Sequence, residues 1–255
     1  MTPFWRRPIW ILGHLVALTA VLIFVRCGIW QIDRLHQKQA RNRLIAERSD
    51  GPAVDIDTVA IDQARYQRVR VSGRFDDADH VVIRNRAFEG TNGLHLVTPF
   101  VRDDGSVVLV LRGWIGSNDK APPSPAGKLT IEGLLLQTQT RVFGPKDPPT
   151  GRLAILNRLD VERIAQQLPG RRVYPLFLQL TKPAPPKNTE PDIVEPPARD
   201  EGPHRSYAIQ WFLFTGVVLV GYPLLMRRRA REERDAATAA AASATQERDP
   251  TSAEA

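Results

Sequence analysis

Apolar residues are concentrated in two runs, PIWILGHLVALTAVLIFV (8–25) and SYAIQWFLFTGVVLVGYPLLM (206–226). Each predicts a membrane-crossing helix. About twenty residues at 1.5 Å rise span a hydrocarbon layer of roughly 30 Å, and a helix satisfies its own backbone polar groups in lipid. Beyond the first run, Ile29, Ile32, Leu35, Leu44 and Ile45 keep helical spacing. An amphipathic helix therefore continues out of the membrane until Gly51-Pro52 stops it. A short helix capped by Asp57 is expected over 57–64.

From Tyr66 the period changes to two. RVRVSGRF alternates arginine with valine as a half-buried strand does, and DDAD turns the chain into HVVIRNR. GLHLVTPFV, SVVLVLRGW and KLTIEGLLLQTQTR are further strands, the first two joined by the turn RDDGS. LDVERIAQQLPG reads as one helix stopped by Pro169-Gly170, and VYPLFLQL as a closing strand. The expected fold class is α+β: a mostly antiparallel β domain, either a small barrel or a strongly twisted sheet, held by two transmembrane helices.

Residues 183–203 contain seven prolines and predict an extended, mobile linker back to the membrane. The small-residue tail after Arg229 predicts disorder. The expected segments are a cytoplasmic 1–7, a transmembrane helix 8–26, an extracytoplasmic domain 27–206, a second transmembrane helix 207–226 and a cytoplasmic tail 227–255. Within the domain, 27–50 is a helical extension, 66–182 the β-rich core and 183–203 the linker.

Charge decides the orientation. RRRAREER follows the second run, which places that end in the cytoplasm by the positive-inside rule, and two spans bring both ends to the same side. The first run follows Arg6 and Arg7 as a signal peptide would, but Arg26 and bulky neighbours stand where a peptidase needs small residues. It reads as an uncleaved anchor. Residues 27–206 hold 26 basic and 22 acidic side chains, too even a balance to argue for nucleic acid. The 255-residue chain has one cysteine, Cys27, so no intramolecular disulfide forms. Arginine outnumbers lysine 29 to 6, which points to a GC-rich bacterial genome.

No nucleophile elbow, metalloprotease helix, phosphate loop or C-x-x-C is present, and the chain does not read as an enzyme. FDDADH gathers carboxylates with His80 but lies where a turn is needed, and His95 sits inside a strand. Polar groups at the membrane face are better candidates, because hydrocarbon makes them costly. Trp30 and Gln31 lie at the outer end of the first span, at the level of His204, Tyr207, Gln210 and Trp211 on the second. His14 belongs to the opposite half of the bilayer, where a structural hydrogen bond is expected. An aromatic belt explains the tryptophans and tyrosine but not Gln31, Gln210 and His204. Composition alone leaves belt and functional site open.

GIWQIDRLHQK, YQRVRVSGRFD, GLHLVTPF, VVLVLRGWI and HRSYAIQWF, in that order within a two-span frame, resemble the surfeit locus protein 1 (Shy-type) family of cytochrome c oxidase assembly factors. Leu111 and Gly116 depart from the residues common in that family beside its Arg-Gly-Trp element. The resemblance implies a bacterial plasma-membrane protein that aids heme a delivery or insertion into the oxidase catalytic subunit. Its partners would be that subunit, the heme a synthesis machinery and membrane lipid. Carried over by position, the family residues are Trp30, Gln31 and Arg34, then Arg112, Gly113 and Trp114, then His204, Tyr207, Gln210 and Trp211. His204 is the expected axial ligand to heme iron, with Arg34, Lys38 or Arg112 meeting the propionates. The alternative is a scaffold that stabilises the nascent oxidase subunit without touching heme.

Overall fold

The computed structural model describes residues 4–140, 146–184 and 191–247. The chain divides into a helical unit drawn from residues 1–40 and 200–255, and a β-rich unit formed by residues 41–199. Three α-helices occur among the described residues: α1 (Pro8–Ser49), α2 (Val161–Ala165) and α3 (His204–Glu247). The strands are β1 (Val54–Asp55), β2 (Arg68–Phe75), β3 (Val81–Phe88), β4 (Thr91–Arg102), β5 (Val107–Gly116), β6 (Leu129–Gln137), β7 (Ile155–Leu156) and β8 (Leu176–Leu180).

β2 is shared between two partners, and this closes the sheet. Its residues Arg68–Gly73 pair with β6, while Gly73–Phe75 pair with β4, so Gly73 lies opposite both Leu129 and Arg102. The ring β2-β6-β8-β5-β4 is thus a five-stranded barrel, with β3 and β7 extending beyond β4 and β1 beside β2. The expectation of a small barrel holds in this form, and the sheet is mixed, with five antiparallel pairings and three parallel ones among the described residues. β1–β2, β3–β7 and β5–β8 are parallel pairs. The β5–β8 pair is parallel because β8 re-enters the sheet after the long excursion 138–175, a long-range choice that periodicity does not encode.

All five barrel strands contribute to one core: Val69 and Val71, Phe100, Val108 and Val110, Ile131 and Leu135, and Leu176, Leu178 and Leu180. These line the interior. Alternate residues of β5, namely Val107, Leu109 and Leu111, enter a second core with Val81, Ile83, Leu156, Ile164 and Phe177. Both faces of β5 are therefore buried, which explains its unbroken apolar run. Each fully buried Leu, Ile, Val or Phe contributes roughly 1.5–3 kcal/mol by leaving water.

Four local expectations are corrected. Over 57–64 there are two 3-10 turns, Ile56–Thr58 and Ile61–Gln63, and the capping side chain is Asp55, which accepts from the Asp57 amide at 2.9 Å. The helix in LDVERIAQQLPG is α2, only five residues long, capped by Asp160. The proline-rich segment does not hang free where it is described. Ala184 is buried, Asp192 bridges to Trp114, and Gln179 donates to the carbonyls of Val194 and Glu195. Arg199 then forks onto Asp50 and Ser49 at the end of α1. Proline in that stretch removes donors, and the segment docks mainly through carbonyls, with the Asp192 amide donating to the Trp114 carbonyl. Residues 185–190 of that stretch lie outside the described residues.

The tail is likewise helical, since α3 runs on to Glu247; residues 248–255 lie outside the described residues. Alanine has the highest helix propensity, and Glu232 bonds Arg228 and Arg229 one turn back. α1 and α3 each contain a stretch long and apolar enough to cross a membrane. Leu12, Leu15, Val16 and Leu22 of α1, and Leu213, Val217, Leu219 and Val220 of α3, are more than half exposed. Helices apolar on nearly every side are stable in lipid and not in water.

Candidate functional site at the α1–α3 seam

α1 and α3 run antiparallel within the helical unit, and side chains at helical spacing form the seam. On α1 these are Phe24, Gly28 and Gln31; on α3, His204, Ala208, Trp211, Phe212 and Thr215. Phe24 packs against Trp211 and Phe214, with ring centroids 5.6 and 5.7 Å apart. Gly28 is a site of close approach. A Cβ placed there would come within 2.8 Å of the Phe212 ring, so any side chain here forces that ring to give way.

One turn further along, Gln31 is 8% exposed and its Oε1 lies 2.8 Å from His204 Nδ1. The amide oxygen can only accept, so Nδ1 carries the hydrogen and neutral His204 keeps its lone pair on Nε2. Nε2 has no hydrogen-bond partner among the described residues. A buried glutamine that fixes the tautomer and aim of a half-buried imidazole is the arrangement found around metal-ligating histidines.

The remaining candidates gather on one side of this bond. At about 100° per residue, Trp30 and Arg34 lie roughly 60–100° from Gln31 in one rotational sense around α1. Tyr207, Gln210 and Trp211 lie roughly 20–120° from His204 in the same sense around α3. Because the helices are antiparallel, both sets point to the same flank of the pair. The Arg34 guanidinium lies 5.7 Å from the Trp30 ring centroid, and Lys38 follows one turn later. Trp30 and Tyr207 are 46% and 47% exposed, so the flank is open. It combines aromatic walls and two cations, while Nε2 of His204 lies toward Gly202 and Asp200.

His14 is not part of it. Its Nδ1 lies 2.6 Å from the Tyr222 hydroxyl, with the rings edge to face, and its Nε2 is 3.3 Å from the Trp5 carbonyl. The two histidine contacts are separated by about 25 Å along the helices, 17 residues of α1 at 1.5 Å. Tyr222, Phe24, Phe212 and Phe214 escaped the sequence reading. Their signal is the i, i+4, i+7 spacing of Phe24, Gly28 and Gln31, which marks one helix face.

The Arg-Gly-Trp element lies in the β-rich unit and builds structure there. Leu96 pairs with Gly113 and Val97 with Leu111, so Arg112 is the extra residue of a bulge. The bulge turns its side chain inward, where it is 1% exposed. It donates to the carbonyls of Pro122 and Pro123 and to Ser124, and lies 3.7 Å from Asp77. Arg112 is therefore not presented to a propionate, because its guanidinium is consumed in tying the loop 117–128 to the barrel. Gly113 admits Asp192 so closely that a Cβ would sit 2.4 Å from its carbonyl oxygen. The Trp114 indole donates to the Arg86 carbonyl at 2.8 Å.

The other titratable groups are occupied. In FDDADH, Asp76 pairs with Arg171, Asp77 accepts from Ser124, Asp79 pairs with Arg152, and His80 Nδ1 contacts the Asp77 carbonyl. Burial, with help from the charge of Arg86, pushes the His95 imidazole down to about 4. Arg86 is itself lowered by burial and by neighbouring Arg158. Among the described residues, no three His, Cys, Asp or Glu side chains converge as a metal site. An iron held at the seam would meet the imidazole of His204, and the aromatic side chains nearby suit an apolar macrocycle, with the Asp200 carboxylate standing near the same ring across Gly202.

The model of the SURF1 family matches residues 18–216. The chain belongs to the SURF1 family. An uncharacterized SURF1-like protein of Mycobacterium tuberculosis is 29% identical over 247 residues, covering 90% of this chain and 89% of that one. A SURF1-like protein of Caenorhabditis briggsae is 26% identical over 247 residues, with 83% and 74% covered. One from Rickettsia bellii is 32% identical over 108 residues, covering 42% of this chain and 44% of its own. The SURF1 match opens within α1 and closes within α3, so it includes Gln31, His204 and the whole β-rich unit. It ends before the arginines that follow Met226.

Proposed function

We propose that this SURF1-family chain is a membrane-bound assembly factor for cytochrome c oxidase that holds heme a as cargo on its way to the catalytic subunit. Both termini lie in the cytoplasm and residues 27–206 outside it, in a bacterial plasma membrane, as the arginines after Met226 favour. The observation that carries the reading is the Gln31–His204 bond, which leaves Nε2 of a half-buried imidazole with its lone pair free.

In this reading His204 supplies one axial nitrogen, held in a single tautomer by Gln31. Trp30, Tyr207 and Trp211 offer aromatic surface to the macrocycle, and Gln210 a polar group at its edge. Arg34 and Lys38 offer charge-assisted donors to propionates. A single ligand on an open flank suits reversible holding, since a carrier must release what it carries. Gln31 offers its Oε1 to the Nδ1 hydrogen of His204, and the Phe24–Trp211–Phe214 cluster packs the seam beneath this bond.

The test is coexpression of the full chain with a heme a synthesis pathway, followed by heme stoichiometry and the Soret spectrum. Wild type is expected to purify with heme a, and His204→Ala to lose it while keeping its thermal melt. Equal stoichiometry and an unchanged iron spectrum in His204→Ala would refute the ligand assignment. A heme-free wild type whose deletion still lowers oxidase abundance would favour the scaffold reading, in which the open flank receives a helix of the nascent subunit.

A further inference from the structure

We propose that Arg227, Arg231 and Arg234 form a binding stripe for the phosphate of an anionic phospholipid headgroup, in the leaflet where the apolar run of α3 ends. The proposal rests on the membrane-anchored reading and concerns the opposite end of the helix pair from the heme flank. The three arginines are spaced i, i+4, i+7 directly after Met226 and fall within about 60° of one helix face. All three are exposed, and their guanidinium groups have no hydrogen bond or ion pair among the described residues.

Their neighbours are neutralised instead. Glu232 binds both Arg228 and Arg229, and these partners hold its carboxyl below the usual range. Glu233 pairs with Arg7 of α1 at 3.2 Å. The acids thus cancel charge on two sides of the helix and leave the face of Arg227, Arg231 and Arg234 cationic, with Asp235 at its edge one turn after Arg231. Tyr222 marks the α1-facing side through His14, and the stripe lies roughly 120–180° round from it. It points away from α1.

Depth favours lipid over a soluble polyanion. Arg227 follows the apolar run by one residue, and Arg231 and Arg234 stand only about 6 and 10 Å further along the axis. Long arginine stems bend back over such distances, and the attraction of an anionic surface persists over about a Debye length of 8 Å. At the same end of the pair, exposed Trp5 carries the Arg6 guanidinium 4.6 Å above its ring, a pairing suited to headgroup depth.

The test places the full chain in nanodiscs of phosphatidylcholine containing phosphatidylglycerol and measures, by native mass spectrometry, phosphatidylglycerol retained after exchange against excess phosphatidylcholine. Wild type is expected to retain it, less so as salt rises. R227Q/R231Q/R234Q is expected to bind about tenfold more weakly or worse, whereas R228Q/R229Q/E232Q, which removes the same number of charged side chains, keeps the preference. Protease protection of the tail confirms that each variant inserts in the same sense. Equal retention by the two variants, or no headgroup preference in wild type, overturns the proposal. So does capture of an RNA oligonucleotide by a stripe indifferent to headgroup. A chain released by alkaline carbonate would sink the membrane-anchored reading as well, whereas a carbonate-resistant chain without preference sinks only the stripe.

Discussion

Gln31 and His204 are 173 residues apart in the chain, and their side chains meet at 2.8 Å. The bond joins α1, just beyond its apolar run, to the first residue of α3, and it engages Nδ1 of the imidazole. Gln31→Leu removes the acceptor and is expected to cost the helix pair about 1 kcal/mol. It should also cut heme a retention several-fold by letting the ring change tautomer. Gln31→Glu, which keeps an acceptor, should restore much of the retention and shift the iron spectrum. Unchanged spectra in both variants would show that Gln31 does not act on His204.

Gly28 sets how closely the helices approach. Gly28→Ala requires the Phe212 ring to give way and should cost about 1 kcal/mol, and Gly28→Leu about 3 kcal/mol or more. Thermal melting of the reconstituted chain, followed by near-ultraviolet signals from Trp211, would register both. Phe212→Ala combined with Gly28→Ala should recover part of the loss, because the second change makes room for the first.

Arg112 holds a loop and not a ligand. Arg112→Met leaves the Pro122 and Pro123 carbonyls without their donor and should destabilise the β-rich unit by about 2–4 kcal/mol. Arg112→Lys should lose roughly half as much, since an ammonium cannot fork onto both carbonyls. Denaturant unfolding would measure each. If the Lys variant folded normally yet lost heme a, Arg112 would have to be moved from the fold to the site.

His95 makes the β-rich unit sensitive to acid. Its folded value, about 4, lies below the ordinary imidazole value of 6.5, so between these the unfolded chain binds the extra proton. Stability is therefore fully expressed above pH 6.5, falls as pH drops toward 4, and flattens below it with respect to this group. His95→Gln should remove that slope. A wild-type unfolding midpoint constant from pH 7 to pH 4.5 would contradict it.

The alternation in RVRVSGRF, the apolar run of VVLVLR and the two uncharged runs at either end each specify an element from local physics alone. Periodicity reports which side of a backbone faces apolar surroundings, and length reports whether a helix can cross lipid. The same local information placed Gln31 and His204 at one level, because helix rise converts residue number into depth. It could not say that their side chains touch, since that depends on how two helices rotate about their axes, which Gly28, Phe212 and the Phe24–Trp211 contact decide together.

Three features belong to the tertiary structure only. β2 divides between β4 and β6 to close a barrel, because strand partners are chosen by loop paths and shared cores that no window of sequence contains. The proline-rich segment docks through backbone groups that bond Gln179 and Trp114, partners more than ten residues away in the chain. Arg112 looks from sequence like any cation beside a tryptophan. A one-residue bulge against Leu96 and Val97 turns it inward, and that single irregularity in register converts a candidate propionate partner into a buried tie. Local patterning thus determined the long strands and the two apolar helices, while pairing and rotation, which are collective, determined which polar groups remain free to bind.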